Sequence, residues 1–233
     1  MAQNVPEREV GFAAGFPRGP ETVIIRDMQK LRVESVAEPF AGDPELMSVA
    51  IDMLTLMESM GLLADEADIS RLDAGSVDIL ARAAGRAGLA PQAVAELATA
   101  GARGRRRAIV QLRDALRESP LPEHEWGAMT STLGVEPLAQ LLGVAEASLR
   151  RYASGARATP DEVAGRLHHL AQVVGYLRGG YNDIGIRRWF RRSRQALGGD
   201  APAAFLGGGW SPDDDRAQAV LELARALTSS PAT

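Results

Sequence analysis

Cysteine is absent from this chain, which excludes a disulfide framework, a thiolate metal site and a cysteine nucleophile, and fits a reducing compartment. Lysine is nearly absent as well, Lys30 being the only one. Basic character therefore rests on arginine, whose planar fork suits phosphates and guanine edges. Histidine is confined to His124, His168 and His169, and the adjacent pair cannot both face one metal at helical spacing. No apolar run approaches the roughly 20 residues that span a bilayer, and residues 1–20 lack the basic start and apolar middle of a signal peptide. A cytoplasmic chain without membrane partners is the expectation. There is no glycine-rich phosphate loop with a lysine, no nucleophile elbow and no dinucleotide fingerprint, since the glycines at 207–209 follow no strand. Neither catalysis nor a cofactor nor a bound metal is expected.

What is present is a chain of 233 residues, 45% of them hydrophobic, enough for one large core or two small ones. Apolar residues recur at helical spacing nearly throughout, so the expected fold is all-α: a helical N-terminal part, a helix-turn-helix and a small C-terminal helical domain. Residues 1–42 read as an irregular arm, within which Val23, Ile24 and Ile25 fit either a short strand or a helix start. Asp43 and Pro44 open a helix over 45–63 with Leu46, Val49, Ala50, Met53, Leu54, Met57, Met60 and Leu63 inward. Helices follow over 75–87, 91–99 and 105–118. The segment Ser119-Pro-Leu-Pro122 reads as a linker, placing a helical N-terminal domain at 43–119.

The most informative stretch lies at 136–155. Leu138, Ala139 and Leu142 form the inner face of one short helix, Gly143 makes the turn, Val144 plugs the angle, and Leu149 with Tyr152 or Ala153 faces inward from a second helix. Glu146, Ala147, Ser148, Arg150 and Arg151 are left outside. This is the pattern of a DNA-reading helix-turn-helix, with the domain expected at 123–180. Gly155 closes the second helix, and Thr159 with Pro160 is expected to cap the next.

The formal net charge of −4 conceals a local excess of the opposite sign. Residues 150–194 hold Arg150, Arg151, Arg157, Arg166, Arg178, Arg187, Arg188, Arg191, Arg192 and Arg194 against only Asp161, Glu162 and Asp183, a concentration that phosphates attract. A degenerate copy of the helix-turn-helix pattern runs through 83–94, where Ala84, Gly88 and Leu89 stand at the steps of Ala139, Gly143 and Val144. Arginines at 103–107 follow it. A structural hairpin and a second basic helix-turn-helix both fit.

Beyond the reading unit, a helix over 159–177 carries Val163, Leu167, Leu170, Val174 and Leu177 inward, and one over 182–194 carries Ile186, Trp189 and Phe190. After Leu197, Gly198 and Gly199 come Pro202, Phe205 and Leu206, then a last helix over 213–227 with Ala219, Val220, Leu223 and Leu227. On these residues the chain resembles the Xre, MbcA and ParS antitoxins, over roughly residues 127–227. The resemblance implies a lambda-repressor-like DNA-binding unit followed by a domain, at 181–233, that binds a RES-type toxin. It implies that Glu146, Ala147 and Arg151 face bases of double-stranded DNA, with Ser148 and Arg150 near phosphates. Arg157 extends the same cationic edge. It implies further that Trp189, Leu197, Gly198, Pro202 and Phe205 build the toxin-binding unit, and that residues 213–233 block the toxin's NAD pocket. One departure is Ala145, which stands where Ser or Thr usually caps the reading helix. A homodimer is expected, because one short helix discriminates sites weakly. An antitoxin repressing its own promoter, a stand-alone regulator whose N-terminal half senses or recruits another partner, and an adaptor without DNA contact all remain open.

Overall fold

The computed structural model describes residues 26–27, 32–63, 69–99 and 101–229. The expectations for residues 1–19 and for Val23, Ile24 and Ile25 lie outside these. Among the described residues, none of the helices is long and apolar enough to cross a membrane. The fold is all-α apart from short strand pairs. The described residues of the expected arm are more ordered than their composition suggested: β1 (Arg26–Asp27) pairs antiparallel with β2 (Arg32–Val33), and β3 (Ser35–Val36) pairs parallel with β4 (Arg71–Leu72). Val33, Val36 and Phe40 are buried in the common core, and these three apolar side chains are what tie the segment down.

Helix α1 (Pro44–Ser59) begins as expected, with Asp43 Oδ1 accepting from Leu46 N at 3.0 Å. It ends earlier than predicted, because Gly61 at φ +77° turns the chain left-handed and Leu62 N bonds back to Met57 O, a Schellman closure. Helices α2 (Ala74–Arg86), α3 (Pro91–Thr99) and α4 (Ala102–Glu118) follow. Three arginines of α4 meet acids of neighbouring segments: Arg106 meets Asp43 and Glu45, Arg107 meets Glu96, and Arg117 meets Asp52 at 3.1 Å.

That pairing bears on the degenerate repeat. The α2–α3 turn copies the later one bond for bond, Leu89 N reaching Ala84 O and Val144 N reaching Ala139 O, each at 3.0 Å. The two turns part after that, since Ala90 takes φ +40° and the first burial on α3 falls at Ala93. Helix α3 carries no cation, and it packs on α4. The similarity is one of turn geometry.

The expected linker at 119–122 joins helices that share a core. α1 packs on α4 and also on α8 (Asp161–Arg178). The approach to α8 is closest at Gly175, where an added Cβ would lie 3.2 Å from Ser59 Oγ and 3.4 Å from Thr55 O. Arg117 O, at the end of α4, accepts from Gln172 Nε2 and lies 2.9 Å from His168 Nε2 on α8. The core is therefore continuous from Val33 to Ala224.

Helices α5 (Pro122–Leu133), α6 (Val135–Leu142), α7 (Glu146–Ala153), α9 (Asp183–Arg191), α10 (Pro202–Leu206) and α11 (Asp215–Ser229) complete the fold. α11 packs on α8 through Ala217, Val220 and Ala224. This shifts the expected inner face: Leu227 is exposed, and Ala219 and Leu223 are half-buried. Small residues line the contact, so the two helices lie close. His169 is buried in that contact, 3.0 Å from Ala217 O and edge-on to Trp210.

Burial lowers the pKa of His169 to about 4, against the raising effect of its bond to Ala217 O. In the unfolded chain the same group titrates near 6.5. Stability from this group is therefore complete above pH 6.5 and falls as pH drops toward 4, by about 3 kcal/mol over the window. His169→Gln keeps an N–H for Ala217 O but does not titrate, so urea unfolding across this range should show a shallower slope than wild type. Parallel slopes would mean that His169 takes up its proton in the folded state.

Candidate nucleic-acid interface

Helices α6 and α7 meet at a tight turn whose geometry follows from three residues. Gly143 sits at φ +67°, a conformation that glycine adopts without penalty. Its N–H reaches Gln140 O, and Val144 N reaches Ala139 O. Ala139 is buried where the helices touch, and its small side chain lets them approach. Leu138, Leu142, Leu149 and Tyr152 are buried, while Val144 is half-buried. Of the two residues open to the inner role on α7, Tyr152 takes it and Ala153 is exposed.

Tyr152 stacks on Trp126 of α5, ring centroids 6.1 Å apart. The Trp126 indole donates to Thr159 Oγ1 at 3.0 Å. Thr159 is thus not the cap of α8; Pro160 occupies that position without a side-chain hydrogen bond. The hydroxyl serves the buried indole N–H instead, which would otherwise lack a partner. Ala145 begins α7 with no side-chain cap.

The outer face of α7 is open. Ala147, Arg150 and Arg151 are exposed, and Glu146 and Ser148 are half-buried. Arg150 Nη2 donates to Glu146 Oε2 at 2.8 Å, one turn apart, so these two candidates partly satisfy each other. An exposed pair of this kind is worth well under about 1 kcal/mol and exchanges readily for a phosphate partner. Arg157 lies over the Tyr152 ring, 5.5 Å from its centroid, and its N–H bonds to Arg151 O. The loop closing α7, with Gly155 at φ +71°, therefore brings Arg157 back beside Arg151.

Two arginines of the cationic stretch are not part of this surface. Arg166 and Arg178 are buried in the core, where helical spacing turns them inward from α8. Arg166 donates to Leu142 O at 2.8 Å and to Trp210 O at 2.6 Å, and it pairs with Glu162. Trp210 Nε1 donates to Leu141 O at 2.8 Å. The last carbonyls of α6, which a helix end leaves without intrahelical partners, are thereby fixed by α8 and by the segment after α10. Neither residue was singled out as functional from the sequence. A tryptophan directly behind three glycines was the available sign for Trp210.

The remaining cations gather on α9. Ile186, Trp189 and Phe190 are buried as expected, with Asn182 capping the helix by accepting from Gly185 N at 2.9 Å. The helix ends at Arg191, earlier than predicted, and a 3-10 turn over Gln195–Leu197 follows. Arg194 lies over the Trp189 ring. Trp189, Leu197 and Pro202 are all buried. These side chains shape the C-terminal unit from within, and a partner would meet half-buried Phe205 and exposed Gly198 instead. Comparison with protein-family models, with characterised proteins and with solved structures found no match for this chain.

Proposed function

We propose that this chain is a DNA-binding antitoxin-type protein that represses its own promoter through α6 and α7 and holds a RES-type toxin inactive through its C-terminal unit. One observation carries the DNA reading: α7 presents Arg150 and Arg151, with Arg157 folded back beside them, on a face left exposed among the described residues. Rigidity supports it too, since the turn is anchored by Trp126, Arg166 and Trp210. A reading helix held in this way loses little conformational entropy on binding. The antitoxin half rests on the resemblance of Trp189, Leu197, Gly198, Pro202 and Phe205 to the Xre, MbcA and ParS pattern. Two copies on a two-fold site would supply the discrimination that one short helix lacks.

The test of DNA binding is a salt titration on duplex DNA. Arg150→Ala with Arg151→Ala should weaken binding by about 2 to 4 kcal/mol and reduce the salt slope by about two. An unchanged slope would remove α7 from the interface. The toxin half is tested by co-purification with the product of an adjacent gene coding for a RES-type toxin. A stand-alone regulator is the second reading, favoured by the packing of α1 against α8 at Gly175, which makes the N-terminal half part of the same core. It gains if DNA binding holds and no toxin co-purifies.

A further inference from the structure

Beside the reading unit lies a groove of about 300 Å³ walled by α6, α9 and α10, into which Arg187, Arg191 and Gln140 project. Its floor is made by Leu133, Leu141 and Phe190, exposed by only 1%, 4% and 2%. Pro137, Ala203 and Ala204 add small apolar patches to the walls, interleaved with polar ones. What the groove offers is hydrogen-bond donors. Arg187 and Arg191 stand one turn apart, their Cβ atoms about 6 Å from each other. Among the described residues neither has an ion-pair partner, and the same holds for Arg188 and Arg192 on the outer side of α9. The one acid of α9, Asp183, faces Arg178 in the core. Gln140 Nε2 meets Glu136 at 3.4 Å, a long contact that leaves the amide available.

We infer that this groove is a phosphate-backbone clamp that extends the DNA interface from α7 across α6 to α9. The inference rests on the DNA reading proposed above and adds a second contact zone to it. In helix-turn-helix complexes the first helix of the pair crosses the DNA backbone. Here α6 is that helix, and Arg187 and Arg191 flank it. Two guanidinium forks, one turn apart and without acids to neutralise them, bind a phosphodiester run bidentately. Trp189 and Phe190 pack α9 into the core, so the helix that carries the forks is fixed before DNA arrives. The contact is blind to sequence: it sets affinity and register, while α7 reads bases.

The experiment is fluorescence anisotropy of the full chain with a labelled random-sequence duplex, between about 50 and 200 mM salt. Arg187→Gln with Arg191→Gln should reduce the salt slope by about two and weaken low-salt binding about tenfold or more. Arg187→Lys with Arg191→Lys should restore most of the slope, because the charge remains. Circular dichroism melts of both variants should overlay wild type, since neither side chain holds another element. The inference is overturned if the Gln variant keeps the wild-type slope while Arg150→Ala with Arg151→Ala loses it; the groove then serves an acidic protein segment and the α7 reading stands. If wild type shows no salt-dependent duplex binding, both readings fall.

Discussion

Arg166→Ala should lower the unfolding free energy by about 3–5 kcal/mol, the usual cost of removing one partner from a buried charge network. On the proposed function it should also weaken duplex binding beyond what the lost stability explains. Arg166 is 5% exposed and donates in three directions: to Leu142 O at the end of α6, to Trp210 O in the C-terminal unit, and to Glu162 one turn back on α8. Its removal leaves two buried carbonyls without partners and opens a cavity against the reading unit. Gly143 would feel this directly, because Arg166 Nη1 lies 3.7 Å from where its Cβ would stand. Arg166→Lys should not rescue, since an ammonium cannot reproduce a planar fork reaching two separate carbonyls. Trp210→Phe should cost less, about 1–2 kcal/mol, because it keeps an aromatic ring beside His169 and loses mainly the indole bond to Leu141 O. Urea unfolding and duplex titration at matched folded concentration measure both effects. Full stability in Arg166→Ala would show that the reading unit does not depend on the segment that follows α10.

Element existence was legible wherever one face of a helix alternated cleanly. The α1 stripe through Met53, Leu54 and Met57, the α6–α7 pair around Gly143, and Ile186 with Trp189 and Phe190 on α9 all fall where periodicity placed them. What escaped were partners distant in sequence. Val36 read as an arm residue because its strand partner Leu72, like the Ser70 carbonyl that accepts from Glu34 N and Ser35 N, lies some way along the chain. Thr159 looked like a cap because Pro160 follows it, and nothing local indicates that the Trp126 indole needs its hydroxyl. Counting arginines along 150–194 showed the excess but not its direction. Helical spacing on α8 turns Arg166 and Arg178 inward, where their acids and carbonyls come from α1, α5, α6 and the segment after α10. The candidate reading surface was therefore legible as local pattern, and its supports were not.

Arg178→Met should be comparably damaging, about 3–5 kcal/mol by urea unfolding, and replacing its partners as well separates a charge effect from lost packing. The buried Arg178 guanidinium lies 3.5 Å from Glu58 Oε1 on α1, 2.5 Å from Thr132 Oγ1 on α5 and 3.5 Å from Asp183 Oδ1 on α9. Methionine fills much of the space but leaves Glu58 and Asp183 as buried carboxylates without that cation. Adding Glu58→Leu and Asp183→Asn should recover most of the loss, because a buried ion cluster exchanged whole for apolar or neutral groups is often close to neutral in stability. A triple variant no more stable than Arg178→Met would mean that the guanidinium acts by packing alone. Glu58 belongs to the N-terminal half and Asp183 to the C-terminal unit, so the same urea unfolding addresses the join between them. A single cooperative transition that shifts as a whole is expected for a core continuous across residues 119–122. Two transitions, only one of them moved by the substitution, would divide the chain there.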